Sequence, residues 1–253
     1  MTLSPLMLPV LFPTGVVAGL IDAIAGGGGL ITIPVLLGIG LPPQAALGTN
    51  KLQSTFGSAS AMAHFVKAGT IDLREALAGI LWTALGAMSG AYIVQQIDPG
   101  FLKRFIPYLL LVILTYTIFT PKLGADEVHP RMPRGIFYAA FGLLLGFYDG
   151  FLGPGTGSFW VIALMLGLGF DMRKGTGYTK LFNFVSNIVS LVVFVAGGHV
   201  VLLAGLLMGA GQACGARVGA KLVINKGTRF VRPVFICSVL AVTAKLFYDN
   251  YKG

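Results

Sequence analysis

Three observations predict an all-α polytopic membrane protein of two inverted-topology repeats, each a broken, glycine-rich helical pair plus three transmembrane helices. The 253 residues are 55% hydrophobic and only 11% charged, where a soluble domain carries about 25% charged residues; mean hydropathy is +0.83. Long apolar runs recur along the chain, as bilayer-crossing segments require. The second half also repeats the first. An offset of 129 residues sets Gly48 on Gly177, Lys51 on Lys180, Leu52 on Leu181, Phe65 on Phe194, Gly69 on Gly198, Gly86 on Gly215, Gly90 on Gly219 and Phe101 on Phe230. Internal duplication of this kind constrains the architecture before any single segment does.

The first apolar segment, 7–25, runs into four consecutive glycines, Gly26 to Gly29. Inside a helix glycine costs roughly 1 kcal/mol and proline about 3 kcal/mol relative to alanine, so the helix breaks here. Residues 30–40 form a short apolar piece closed by Gly40-Leu-Pro-Pro43, below the roughly 20 residues of a straight span. Spans follow at 44–66, at 73–96 with its small residues Gly79, Ala84, Gly86 and Gly90, and at 101–120. The first repeat is thus 1–120. A polar cytoplasmic linker, 121–134, contains Pro121, Pro130 and Pro133, and the second repeat is 135–253. Its segments are 135–152, 157–169, 176–197, 199–224 and 230–248, and its break is Gly153-Pro-Gly-Thr-Gly157. The two breaks align at an offset of 127 to 128, a residue or two having been gained between them. In lipid such a break survives only where protein or a water-filled cavity satisfies the freed backbone groups. The competing reading is that the glycines only let helices pack closely.

With the N-terminus outside and each broken pair returning to the side it entered from, Lys67, Arg74, Lys122, Arg131, Arg134, Arg173, Lys174, Lys221, Lys226, Arg229 and Arg232 fall inside. Only Lys103, Arg104, Lys245 and Lys252 fall outside, the bias expected of cytoplasmic loops. Both termini are then periplasmic. The net charge of +9 follows from these loops and is no nucleic-acid signal. An odd number of crossings per half inverts the second half, as in many secondary transporters whose site lies at the midplane. No lysine or arginine precedes the first apolar run, so the basic region of a signal peptide is missing and the segment is expected to be retained. Cys214 and Cys237 lie in apolar runs and read as small buried hydrophobes. No Cys/His spacing suggests a metal, and neither a cofactor nor a catalytic histidine is expected.

Charges inside the apolar segments carry the chemistry. They are Lys51, Lys180 and Arg217, with the acids Asp22 and Asp149. A charge at mid-bilayer costs about 2.5–3.5 kcal/mol or more unless a partner or cavity receives it. Arg217 is close enough to the cytoplasmic end to snorkel. Lys51 and Lys180 each lie some two turns into the third element of their half, flanked by Asn50, Gln53 and Ser54 and by Thr179 and Asn183, with Asn187 one turn beyond. Two lysines, amides and hydroxyls around one cavity suit a small oxyanion. So do backbone N–H groups at the breaks, at Gly27, Gly28 and Gly29 and at Gly155, Thr156 and Gly157, because new helix N-termini start there. Alternatively each lysine pairs with its own half's acid. Asp22 and Asp149 would then be structural partners, or carry a coupled proton.

The sequence resembles the sulfite exporter TauE/SafE family, the 4-toluenesulfonate uptake permeases. The residues that carry the resemblance are Gly19-Leu-Ile-Asp-Ala-Ile-Ala-Gly-Gly-Gly-Gly29, Ile33-Pro34, Gly48-Thr-Asn-Lys-Leu52, Gly146-Phe-Tyr-Asp-Gly-Phe-Leu-Gly-Pro-Gly-Thr-Gly157 and Thr179-Lys-Leu181, spread over the whole chain. The resemblance implies a multi-pass inner-membrane carrier of small sulfur-containing or organic anions such as sulfite or sulfoacetate, driven by protons. The family motifs fall on Asp22, Gly26 to Gly29, Asn50, Lys51, Asp149, Gly153 to Gly157 and Lys180. The second copy departs from the first at Pro154 and Thr156 and at Tyr178-Thr179, which points to one asymmetric site. The leading expectation is alternating access, the halves rocking about the lysines. A passive anion channel is the first alternative. An intramembrane aspartyl protease, whose chemistry is paired aspartates sharing a proton, is the second, and the chain lacks a Gly-x-Gly-Asp signature.

Overall fold

Helices stop where the sequence predicts breaks. The computed structural model describes residues 8–119 and 129–226, and every regular element among them is a helix. The order is α1 Leu8–Ala25, α2 Gly29–Gly38, α3 Pro43–Lys67, α4 Leu73–Gln95, α5 Pro99–Phe119, α6 Arg134–Phe151, α7 Thr156–Leu168, α8 Met172–Ala196 and α9 Leu202–Lys226. The predicted span 230–248, most of the linker and both termini lie outside the described residues. Pro43 opens α3, at a first-turn position whose N–H would have no intrahelical partner. The Asp72 carboxylate caps α4 by accepting from Arg74 N at 2.9 Å, and Asp171 caps α8 by accepting from Lys174 N at 2.7 Å.

The surface is the reverse of a soluble protein's. Along α4, Leu73, Leu77, Leu81, Leu85, Met88 and Tyr92 are exposed, most of them four residues apart, so one continuous face is apolar. Phe101, Phe105, Tyr108 and Val112 extend this surface on α5, and Val192 and Val195 on α8. Lys51, Gln53, Asp149, Lys180 and Asn183 are buried. Such an outward apolar surface belongs in lipid, and α4 and α8, of 23 and 25 residues, are long and apolar enough to cross it. Cys214 corrects its expectation. It is an exposed thiol on α9, because α9 turns its glycines inward and leaves this position outside. Arg217 is exposed as well, and Trp160 is buried against Phe182.

Each broken pair folds back on itself. Leu8 and Leu11 of α1 share an apolar cluster with Leu36 and Leu37 of α2, joined by Ala204 and Met208 of α9. In the second half a Cβ on Gly167 of α7 would lie 2.5 Å from the Phe137 ring of α6, and Arg131 N donates to Gly167 O at 2.9 Å.

Two glycine seams join the halves. On α1 and α9, a Cβ at Gly15, Gly19, Gly211 or Gly215 would strike the carbonyl of Met208, Gln212, Phe12 or Val16 respectively. On α4 and α6, a Cβ at Gly86, Gly90, Gly146 or Gly150 would strike the carbonyl of Leu143, Phe147, Thr83 or Ala87. Small residues four apart let backbones touch, which is how helices associate where no hydrophobic effect drives them. The seams are counterparts, since the repeat sets Gly86 on Gly215, Gly90 on Gly219, Gly15 on Gly142 and Gly19 on Gly146. The first helix of each half is therefore packed on the fourth element of the other, while α3 and α8 meet between them.

Candidate functional site: two crossed ion pairs at the helix breaks

The two breaks touch. Gly26, at φ +70°, ends α1 with its N–H donating to Asp22 O at 2.8 Å. A Cβ on Gly26 would strike Gly157 Cα, and one on Gly157 would strike Gly26 Cα. Gly29 faces Pro154, whose Cα would be 3.3 Å from an added Cβ. In the second break Gly153 and Gly155 take φ +92° and +79°, a region only glycine occupies without strain. The glycines thus serve both readings at once: they break the helices, and they let the two breaks meet.

Each lysine reaches across to the other half's acid. Lys51 Nζ lies 2.7 Å from Asp149 Oδ1 and also donates to Asp149 O. Lys180 Nζ lies 3.2 Å from Asp22 Oδ2 and also donates to Asp22 O. This corrects the alternative reading, in which each lysine pairs within its own half. The seams place α1 and α6 against the other half's helices, so the nearest lysine to each acid belongs to the other repeat. Both lysines are 1% exposed. All of these acceptors belong to the last turn of α1 or α6 before a break; Asp22 O keeps its helical partner, Gly26 N at 2.8 Å, beside Lys180.

The pairs differ in their second contacts. Asp149 Oδ2 accepts from Ser186 Oγ, and the acid's side chain is 5% exposed. Among the described residues Asp22 Oδ1 accepts one long bond, from Gly28 N at 3.3 Å, and its side chain is 15% exposed. The repeat sets Ser186 on Gly57, where a Cβ would lie 2.5 Å from Gln212 Cγ, so the first half has no matching hydroxyl and no room for one. Ser186 escaped the sequence reading because one serine in an apolar helix carries no signal. The mismatch with Gly57 was the available clue.

Asp22, Gly26, Gly29, Asn50, Ser54, Asp149, Gly153, Thr156, Gly157, Asn183 and Asn187 enclose a cavity of about 20 Å³, room for about one water. Of the predicted residues, Asp22, Asp149, Asn50, Ser54, Asn183, Gly29, Thr156 and Gly157 therefore border it directly, while Lys51 and Lys180 are not in its lining and stand behind the acids they pair with. Gln53 supports it from behind: its Nε2 donates to Asn50 Oδ1 at 2.7 Å and to Thr32 Oγ1 at 3.1 Å. Thr179 stands apart, its hydroxyl turned to Gly175 O at 2.8 Å. Gly27, Gly28 and Gly155 shape the breaks and do not line the cavity. Among the described residues, Asn183 Oδ1 is buried without a hydrogen-bond partner.

Two larger hollows lie at the ends of α3, a 25-residue helix and so about 37 Å long at 1.5 Å per residue. One, of about 750 Å³, is lined by Gln44, Gln95, Asp98 and His199 among others. The other, of about 380 Å³, is lined by Asp72, Glu75, Asp171, Arg173 and Lys174 among others. The repeat relates them, setting Pro42, Gln44 and Ala45 on Asp171, Arg173 and Lys174. A clasp stands beside each hollow. Val201 N donates to Thr49 Oγ1 at 3.0 Å, and Asp72 N donates to Tyr178 OH at 3.2 Å. Thr49 and Tyr178 are counterparts, as are Asp72 and Val201. The second clasp is also ionic, with Tyr178 OH donating to Glu75 Oε2 at 2.8 Å and Arg134 pairing with Glu75 at 2.9 Å.

The family model described as sulfite exporter TauE/SafE matches residues 11–246. The chain belongs to the TauE/SafE family. A Haemophilus influenzae protein called "probable membrane transporter protein" is 44% identical over 248 residues, covering 96% of each chain. The Escherichia coli K12 "probable membrane transporter protein YfcA" is 42% identical over 248 residues, covering 98% of this chain and 92% of the relative. A Sinorhizobium relative, called "probable membrane transporter protein ORF9", is 41% identical over 243 residues. No solved structure matches. With the outward apolar surface, TauE/SafE membership makes this a helical membrane transporter.

Proposed function

We propose that this TauE/SafE protein is a secondary carrier of small sulfur-containing or organic anions, with sulfite, sulfoacetate and related organosulfonates as the substrate class, working across the bacterial inner membrane by proton-coupled alternating access. The two repeats are inverted about α3 and α8, and both termini are periplasmic. The observation that carries this reading is a small polar cavity, lined by the carboxylates of two ammonium–carboxylate pairs, between hollows at opposite ends of α3. Lysines in lipid would be lost to the roughly 2.5–3.5 kcal/mol penalty of a mid-bilayer charge; here acids hold them in place until an anion arrives.

The first test is Lys51→Ala and Lys180→Ala in proteoliposomes, reading flux of radiolabelled sulfite. Each should abolish it, and flux equal to wild type in both would remove the reading. A cavity of about 20 Å³, room for about one water, favours a carrier over a channel, because a channel needs a continuous path wide enough for its ion. Accumulation of sulfite against its gradient, collapsing with an uncoupler, is expected; flux that only runs downhill would favour the channel.

A further inference from the structure

We propose that Asp22 is the exchangeable counter-ion of the site. A monovalent oxyanion takes the place of its carboxylate on Lys180 while one proton neutralises that carboxylate, so one anion and one proton cross together without net charge. Asp149 stays locked on Lys51 throughout. This rests on the carrier reading above and assigns its substrate charge, its coupling ratio and the residue that carries the proton.

The first support is the inequality of the pairs. Asp149 has both oxygens engaged, by Lys51 at 2.7 Å and by Ser186, and Gly153 closes over the pair so tightly that a Cβ there would lie 2.9 Å from Lys51 Nζ. Asp22 is held at 3.2 Å by Lys180 and at 3.3 Å by one backbone N–H, and it borders the cavity with three times the side-chain exposure, 15% against 5%. An incoming anion competes for Lys180 against the weaker set of bonds.

The second support is charge balance. The charged groups at the site are Asp22 and Asp149, which line the cavity, and Lys180 and Lys51, which pair with them, and they sum to zero; from α9, Arg217 and Lys221 are exposed and face away. An anion added alone leaves an unpaired charge in a largely buried site, which such sites do not bear without a partner. One proton on the displaced carboxylate restores neutrality for a monoanion. A dianion would need a second proton, and the second acid is already saturated.

The third support is the acceptor that a protonated acid requires. A carboxylic acid donates one O–H, and Asn183 Oδ1, bordering the same cavity, is buried without a partner among the described residues. Asn183 lies one turn beyond Lys180 on α8, so the helix that receives the anion also carries an acceptor for the new proton.

The experiment uses proteoliposomes of the full chain with methanesulfonate, a permanent monoanion that cannot itself carry the proton, and sulfite in parallel. Wild type is expected to accumulate methanesulfonate about tenfold for each pH unit of imposed gradient, the ratio that one proton's worth of free energy supports. Potassium–valinomycin potentials of either sign are expected to leave uptake unchanged. Asp22→Asn leaves the empty site with one net positive charge, so uptake should turn responsive to potential and indifferent to the pH gradient. Potential-driven uptake by wild type overturns the proposal, even if Asp22→Asn fails to fold. It is equally overturned if Asp149→Asn, and not Asp22→Asn, removes the pH-gradient dependence. In those outcomes anion flux persists and the carrier reading stands. Absence of flux for both probes, or wild-type flux in Lys51→Ala and Lys180→Ala, fells the carrier reading itself and this proposal with it.

Discussion

The first break is four glycines, held by a 3.2 Å bond from Thr32 Oγ1 to Gly28 O and a 3.3 Å bond from Gly28 N to Asp22. The second contains a proline and a threonine and is braced more closely. Tyr148 OH donates to Pro154 O at 2.6 Å, Thr156 Oγ1 donates to Gly153 O at 2.7 Å, and Ser186 holds Asp149. Both place a lysine-paired carboxylate at the same cavity. Duplication therefore supplied matching chemistry, and later divergence gave the two copies unequal stiffness.

The largest expected difference between the copies comes from removing one lysine at a time. Lys51→Met leaves Asp149 buried without its counter-ion, and breaking a buried pair in this way costs about 3–5 kcal/mol. Lys180→Met should lower stability less, because Asp22 keeps some contact with the cavity. Thermal melts in detergent compare the two, and equal losses would erase the asymmetry argued here. Next come the glycines where the breaks touch. Gly26→Ala adds a Cβ against Gly157 at positive φ, combining about 1–3 kcal/mol of overpacking with about 1–2 kcal/mol of left-handed strain. Gly29→Ala places a Cβ 3.3 Å from Pro154 Cα, a tight contact outside the left-handed region, and should lower the melting temperature by less than Gly26→Ala does. The smallest effect expected is that of Tyr148→Phe, which removes one brace and about 0.5–1.5 kcal/mol. If it nevertheless changes transport of sulfite as much as Lys180→Ala does, the second break is the mobile one and the comparison inverts.

Much of this was legible in the sequence because glycine and proline act locally. The first break lies at Gly26–Gly28, as the glycine run predicted, and α3, α4 and α8 keep their predicted places. The acids and lysines were legible as residue types, since charge inside an apolar run has to be received by something. Their partners were not. An offset of 129 tells which residues correspond, and not which helix of one copy lies against which of the other; the pairing within a half failed for that reason. Gly86 and Gly90 were read as small residues, but the carbonyls they touch are a tertiary fact. The clasps at Thr49 and Tyr178 went unread as well, because each accepts from a backbone N–H more than a hundred residues away.

The carbonyl-lined contacts between α1 and α9 and between α4 and α6 also bear on how the chain is born. Neither repeat owns a finished outer wall, since the strip of bare backbone on its first helix is covered only by a helix of the other. During synthesis the opening helices must wait in the bilayer with that strip uncovered until α9 has been inserted. Two fragments severed in the linker should each be cleared by proteolysis when made singly and rescue one another when made together. A protein so assembled matures in one late step, and its two copies can no longer be inherited or lost apart.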